Sequence, residues 1–105
     1  MTIDNGPTIT RDTADAIVET KDAPRVTAET IRAKIDDVNY VHIDVMTIAV
    51  ITMKNGFKVT GQAAPASPAN FDAQVGERYA YEDAVRKLWQ LEGYLLCEQL
   101  RPTTV

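Results

Sequence analysis

Between Tyr40 and Ala63 the chain reads YVHIDVMTIAVITMKNGFKVTGQA, apolar and β-branched up to Met53, broken at Asn55-Gly56, then alternating. This stretch decides the fold. Two strands joined by a tight turn is what such a pattern predicts. The Asn-Gly pair suits a type I′ turn, in which both central residues need positive φ. On that turn Lys54 faces Phe57, Thr52 faces Val59, Val50 faces Gly61 and Ile48 faces Ala63. The other side of the second strand then carries Lys58, Thr60 and Gln62, which favour water. The first strand, however, places Val45, Ala49, Ile51 and Met53 on that same outer side. Those four residues are therefore expected to form an interface under the first helix, the N-terminal arm or a second subunit, and the protein is expected to be a homo-oligomer.

Downstream, APASPAN (64–70) is the one Pro/Ala/Ser linker, and Ser67-Pro68 or Asn70 is placed to cap the helix after it. From Phe71 the period is helical. Ala73, Gly76, Ala80, Ala84, Leu88, Leu91 and Leu95 recur at steps of three and four and share one face, small in its first half and large in its second. The small half should let the helix approach the hairpin closely. A helix is predicted over residues 71–91, with a second helical segment to about 100 beyond Gly93, where glycine costs a helix about 1 kcal/mol.

Upstream, RVTAETIRAKIDDV predicts a helix from Ala28 to Asp37. Thr27 is its N-cap, Glu29 puts negative charge in the first turn, and Val26 with Ile31 fits a hydrophobic staple. Residues 1–25 read as a mobile arm or short helix, and 102–105 as a tail. The fold class is thus α+β, with one domain over residues 26–101: a short N-terminal helix, a β-hairpin and a long C-terminal helix packed on it.

The chain has 105 residues, 45% of them hydrophobic, which suits a single modest core. With 11 basic and 15 acidic residues the formal charge is -4. It lacks the positive excess that binding a nucleic-acid backbone needs, so no direct nucleic-acid partner is expected. Cys97 and His42 are each the only residue of their kind, which argues against a disulfide framework, a thiolate zinc site or a His-His metal site. No metal and no cofactor are expected. No run reaches the roughly 18 apolar residues of a membrane span, and MTIDNGPTITRD has no signal-peptide pattern. The expected location is the cytoplasm of a host bacterial cell.

Catalytic signatures are sparse. KNGFKVTG lacks phosphate-loop spacing, and its glycines precede a strand instead of a helix. Asp36-Asp37 and Glu82-Asp83 are adjacent, and on a helix neighbours point about 100° apart, so neither pair converges. Ser67 sits in no nucleophile elbow. No catalytic residue is assigned. If a planar ligand binds, the rings of Tyr79, Tyr81, Trp89 and Tyr94 beside Lys58, Arg78 and Arg86 are the candidate site.

The segments MTIAVITMKNGFKVTGQAA and SPANFDAQVGERYAYEDAVRKLWQLEGYLL resemble the small tailed-phage protein family typified by gene 49 of phage N-four and gene 66 of phage Sf-six. The resemblance rests on the turn at Asn55, Gly56 and Phe57, on Gly61 with Ala63, and on NFD at Asn70 to Asp72. It continues through Gly76, Ala80, Ala84 and the WxLEGY at Trp89 to Tyr94, with VTAETI at Val26 to Ile31 suiting the family's opening. It covers residues 26–100 and leaves the first 25 outside. It implies a phage or prophage origin and a compact α+β protein, without a reaction. The expectation is an accessory protein that binds or inhibits a host component without catalysis, in counter-defence of the anti-CRISPR or cyclic-nucleotide-sponge kind. Its partner would be a host protein or a small nucleotide. Two alternatives stand beside it: a metal-dependent enzyme acting on nucleotides through Asp72, Glu77 or Glu92, and a minor virion or assembly protein.

Overall fold

The structure, a computed structural model, describes residues 6–101. The expected tail at 102–105 and the first five residues of the arm lie outside the described residues. The elements run α1 (Arg11–Glu19), α2 (Ala28–Ala33), β1 (Ile35–Ile43), β2 (Met46–Met53), β3 (Lys58–Ala63), a 3-10 turn (Pro68–Asn70) and α3 (Ala73–Leu100). The three strands form one antiparallel sheet in the order β1-β2-β3, and α3 covers one of its faces. The α+β class holds.

Sheet composition departs from the two-strand reading. Tyr40 to Met53 is two strands, with Asp44-Val45 between them as a two-residue turn and Asp44 at a φ of 52°. Aspartate tolerates that left-handed region better than most residues, because its short polar side chain bonds locally. The predicted helix over Ala28–Asp37 stops at Ala33. Its start is as expected, with Thr27 Oγ1 accepting from the Thr30 N–H and Val26 and Ile31 both packed into the core. Its end yields to the sheet. Ile35 and Val38 are half-buried on β1, a register shift falls between Ile35 and Asp37, and Asp37 turns its carboxylate onto the Val38 N–H. Asp, Val and Asn are weak helix formers, so this segment has little to lose by leaving the helix.

The β2–β3 turn is one residue longer than the type I′ reading. The Met53 N–H donates to the Phe57 carbonyl at 2.7 Å, closing a three-residue loop of Lys54, Asn55 and Gly56. Only Gly56 has positive φ, at 91°, while Asn55 uses its side chain to accept from the Phe57 N–H at 2.9 Å. The register therefore slips by one: Ala49 faces Gly61, Ile51 faces Val59, and Thr52 faces Lys58. A one-residue slip turns every side chain of a strand to the other face. Ala49, Ile51 and Met53 now lie buried under α3 of their own chain, beside Val59 and Gly61. The expectation that the first helix, the arm or a second subunit covers them is corrected, since α3 does so with Ile31 of α2 beside it, and Val45 sits half-buried in the β1–β2 turn. The face left open belongs to Val41, Ile43, Ile48 and Val50, beside Lys58, Thr60 and Gln62.

Helix α3 is continuous, so the two expected segments are one helix and Gly93 is tolerated within it. Its N-cap is Asp72, whose Oδ1 accepts from the N–H groups of Gln74 and Val75, and Ser67 makes no capping bond. Carboxylate at a helix start is favoured by the dipole as well as by the two donors. The small face is pressed against the sheet. A methyl group added at Gly61 would lie 2.2 Å from the Ala80 carbonyl oxygen and 2.3 Å from the Ala84 nitrogen. At Gly76 it would lie 2.6 Å from Thr47 Oγ1. Ile31, Ile51, Met53, Val59, Ala84 and Leu88 make up the core around this contact.

Two glycine substitutions are expected to have opposite signs. Gly61→Ala drives a methyl into helix backbone that cannot rotate away, and should cost about 3 kcal/mol. Gly93→Ala has open space around the new methyl and should gain about 0.5–1 kcal/mol from helix propensity. Urea unfolding of the three proteins measures both.

Candidate functional site

On the side of α3 away from the close contact, the helix presents Arg78, Tyr81, Glu82, Val85, Arg86 and Trp89 at steps of three and four. Facing them are Ala28, Ile31 and Arg32 of α2 and Arg11 of α1. Together they line an open groove of about 760 Å³. Four guanidinium groups in one concavity is an unusual concentration for a chain of net charge -4.

Three of the four arginines hold partners that a ligand could displace. Arg78 Nε contacts Glu82 Oε2 at 2.9 Å, Arg11 Nε contacts Asp15 Oδ1 at 3.2 Å, and Arg86 pairs with Asp83. The first two pairs are well exposed on both sides, and such ion pairs contribute only about 0–1 kcal/mol each. Arg78 also stacks over the Tyr81 ring at 6.0 Å, so the groove offers a guanidinium–aromatic surface before any ligand arrives. Asp83 orders the second row: its Oδ2 accepts the Gln62 N–H at 3.0 Å while its other oxygen holds Arg86. The Gln62 hydrogen bond, more than Arg86, holds the Asp83 carboxyl below the usual carboxylate range.

The candidates from sequence divide here. Arg78, Tyr81, Arg86 and Trp89 come together in the groove. Tyr79 and Tyr94 lie on α3 outside it, 60% and 71% exposed. Lys58 is on the far face of the sheet, donating to Thr52 Oγ1 at 2.7 Å. Sequence reasoning missed Arg11 and Arg32, which are brought in by the tertiary placement of α1 and α2.

A second polar cluster joins the sheet to α3. Thr47 Oγ1 and His42 Nδ1 are 3.2 Å apart, and His42 Nε2 lies 2.9 Å from Glu77 Oε2, with the Phe71 ring edge-on to the imidazole. Hydroxyl, imidazole and carboxylate in line is the order of a nucleophile relay. Thr47, however, is fully buried and wedged against Gly76, so its oxygen cannot meet a substrate. The cluster ties β1 and β2 to the first turns of α3. Tyr40 next to it has its phenol pKa raised, by burial first and by the Glu77 charge second.

The carboxylates Asp72, Glu77 and Glu92 do not converge. Asp72 caps α3, Glu77 serves His42, and Glu92 Oε2 meets Lys34 Nζ at 2.6 Å. At a rise of about 1.5 Å per residue, Glu77 and Glu92 are roughly 22 Å apart along the helix axis. Among the described residues, no three of the His, Cys, Asp and Glu side chains form a group able to hold a metal ion. No helix there is long and apolar enough to cross a membrane.

With this geometry in view, the comparisons place the chain among phage proteins. Residues 9–100 match the phage protein (N4 Gp49/phage Sf6 gene 66) family, and the chain belongs to that family. The match begins at residue 9 instead of 26, so α1 and its Arg11 lie within the family's shared length. No curated protein and no solved structure matches the chain.

Asp83 gives the fold a titratable clamp. Its folded pKa is depressed, so its contribution is present above the unfolded value of about 3.9 and is lost as pH falls through the lower folded value. Thermal unfolding between about pH 5 and pH 2 should therefore fall less steeply for Asp83→Asn than for the wild type, with the variant less stable at pH 7.

Proposed function

We propose that this protein is a non-enzymatic binder through which a phage or prophage occupies an anionic component of its host, and that the arginine groove is the binding site. The observation that carries the reading is the meeting of Arg11, Arg32, Arg78 and Arg86 around Tyr81 and Trp89 in an otherwise acidic chain. Guanidinium groups take phosphate by paired hydrogen bonds, and aromatic rings take a base by stacking. A small nucleotide, including the cyclic nucleotides of bacterial immune signalling, combines both features. The groove's volume falls within the range of small-ligand sites, about 300–1,000 Å³. The counter-defence role is drawn by analogy with other small acidic phage proteins, since a fold alone does not determine a function.

Trp89 is the only tryptophan in the chain, so its fluorescence reports on the groove without ambiguity. Titration with a panel of linear and cyclic nucleotides should give a saturable change for at least one of them, weakening as salt is raised. Arg32→Glu and Arg86→Glu should each lower that affinity by roughly 10–100-fold, the worth of a charge-assisted hydrogen bond. A panel that leaves Trp89 unaffected, or a response that survives both substitutions, contradicts the reading.

A further inference from the structure

The rest of the chain treats the two edges of the sheet differently. At β3 two side chains of α3 reach across the edge and take two of its outward backbone groups, the Gln62 N–H donating to Asp83 and the Thr60 carbonyl accepting from Lys87 Nζ. Charged side chains held across an edge keep another strand from pairing there. At β1 the situation is the reverse, for among the described residues β1 pairs with β2 alone.

Which groups point outward on β1 is set by its turn. A two-residue connection makes Ile43 and Met46 a hydrogen-bonded pair, and the alternation of an antiparallel ladder then turns the backbone of Tyr40 and His42 away from β2. Val38 belongs to the same outward set, but its N–H already donates to Asp37 Oδ1 at 2.9 Å. The strand, IDDVNYVHI, contains no Lys, Arg or Pro, the residues that commonly blunt an edge. Around the open groups, Tyr40, Val41 and Ile43 are 38%, 45% and 56% exposed.

We propose that a second copy of this chain pairs with β1, antiparallel about a two-fold axis at Val41, to make one six-stranded sheet. The occupant is argued from self-complementarity. A two-fold normal to the sheet keeps both α3 helices on the same face and joins only residues of the same face. With Val38 capped, the pairing that uses both Tyr40 and His42 sets Tyr40 opposite the partner's His42 and Val41 opposite the partner's Val41. Each Tyr40–His42 pair exchanges both of its main-chain hydrogen bonds. On the outer face the Val41 side chains of the two copies then pack on one another, which takes the flank of each out of water. The opposite edge stays closed, so association stops at two copies.

Sedimentation of the full chain tests this. The expected species has twice the 11.6 kDa of one chain. Val41→Lys, at an exposed position that the fold does not need, should convert it to a monomer with an unchanged circular dichroism spectrum. Gln62→Lys on the β3 edge should leave the dimer intact. In a Cys97→Ser background, Val41→Cys should form an interchain disulfide on mild oxidation, because directly opposed residues across a non-hydrogen-bonded pair lie about 4.5 Å apart. Ile43→Cys, opposite the partner's Asn39, should not. A monomer at about 100 µM, a concentration at which even a weak strand pairing would saturate, overturns the proposal. So does a dimer that survives Val41→Lys or is lost with Gln62→Lys.

Discussion

The contact between the Gly61 backbone and the Ala80–Ala84 turn of α3 sets the spacing on which the rest of the structure depends. Helix and sheet meet there at main-chain distance, with no side chain between them. One helical turn earlier, Gly76 of the helix makes room for the Thr47 side chain of the sheet. Close approach at this end places the larger Leu88 where it fills the core with Ile31, Ile51 and Met53. It also brings Asp83 and Lys87 within reach of the β3 edge, where they bond the Gln62 N–H and the Thr60 carbonyl. One glycine thereby sets the packing distance and leaves β1 as the edge available for pairing.

The same constraint explains why register matters so much here. The three-residue loop at Lys54 to Gly56 brings Ala49 opposite Gly61, and both are needed on the helix side because neither fills space. The alternative pairing would put Val50 opposite Gly61, where a branched side chain would have to fit beneath a helix in main-chain contact. Close packing forbids that. The polar cluster of Thr47, His42 and Glu77 adds direction to the interface, since its hydrogen bonds form only when α3 lies across β1 and β2 in this orientation.

Much of this was legible in the residues. Alternation placed Val59 and Gly61 inward and Lys58, Thr60 and Gln62 outward, and the run from Gly76 to Leu88 announced a helix face that begins small. The Thr27 cap and its staple were equally plain. The slip came from Asn55-Gly56, whose strong preference for a two-residue turn concealed that only Gly56 needed positive φ. Asp44-Val45 carries almost no turn signal, although a 14-residue strand from Tyr40 to Met53 exceeds the usual 3–10 and pointed to a break. Of the binding candidates, those sharing one face of α3 were found together, namely Arg78, Tyr81, Arg86 and Trp89. Lys58 and Tyr79 failed because adjacency to that face in sequence does not survive the helical and pleated periods. Arg11 and Arg32 depend on how α1 and α2 return over α3, which no local pattern encodes.

Methyl NOE spectroscopy tests the register that underlies all of this. Contacts are expected from the Ala49 and Ile51 methyls to α3, with Ala49 close to the Gly61 α-protons, and none from Ile48 or Val50 to the helix. Contacts from Val50 to Gly61 and α3, with Ala49 silent, would restore the other register and contradict the account.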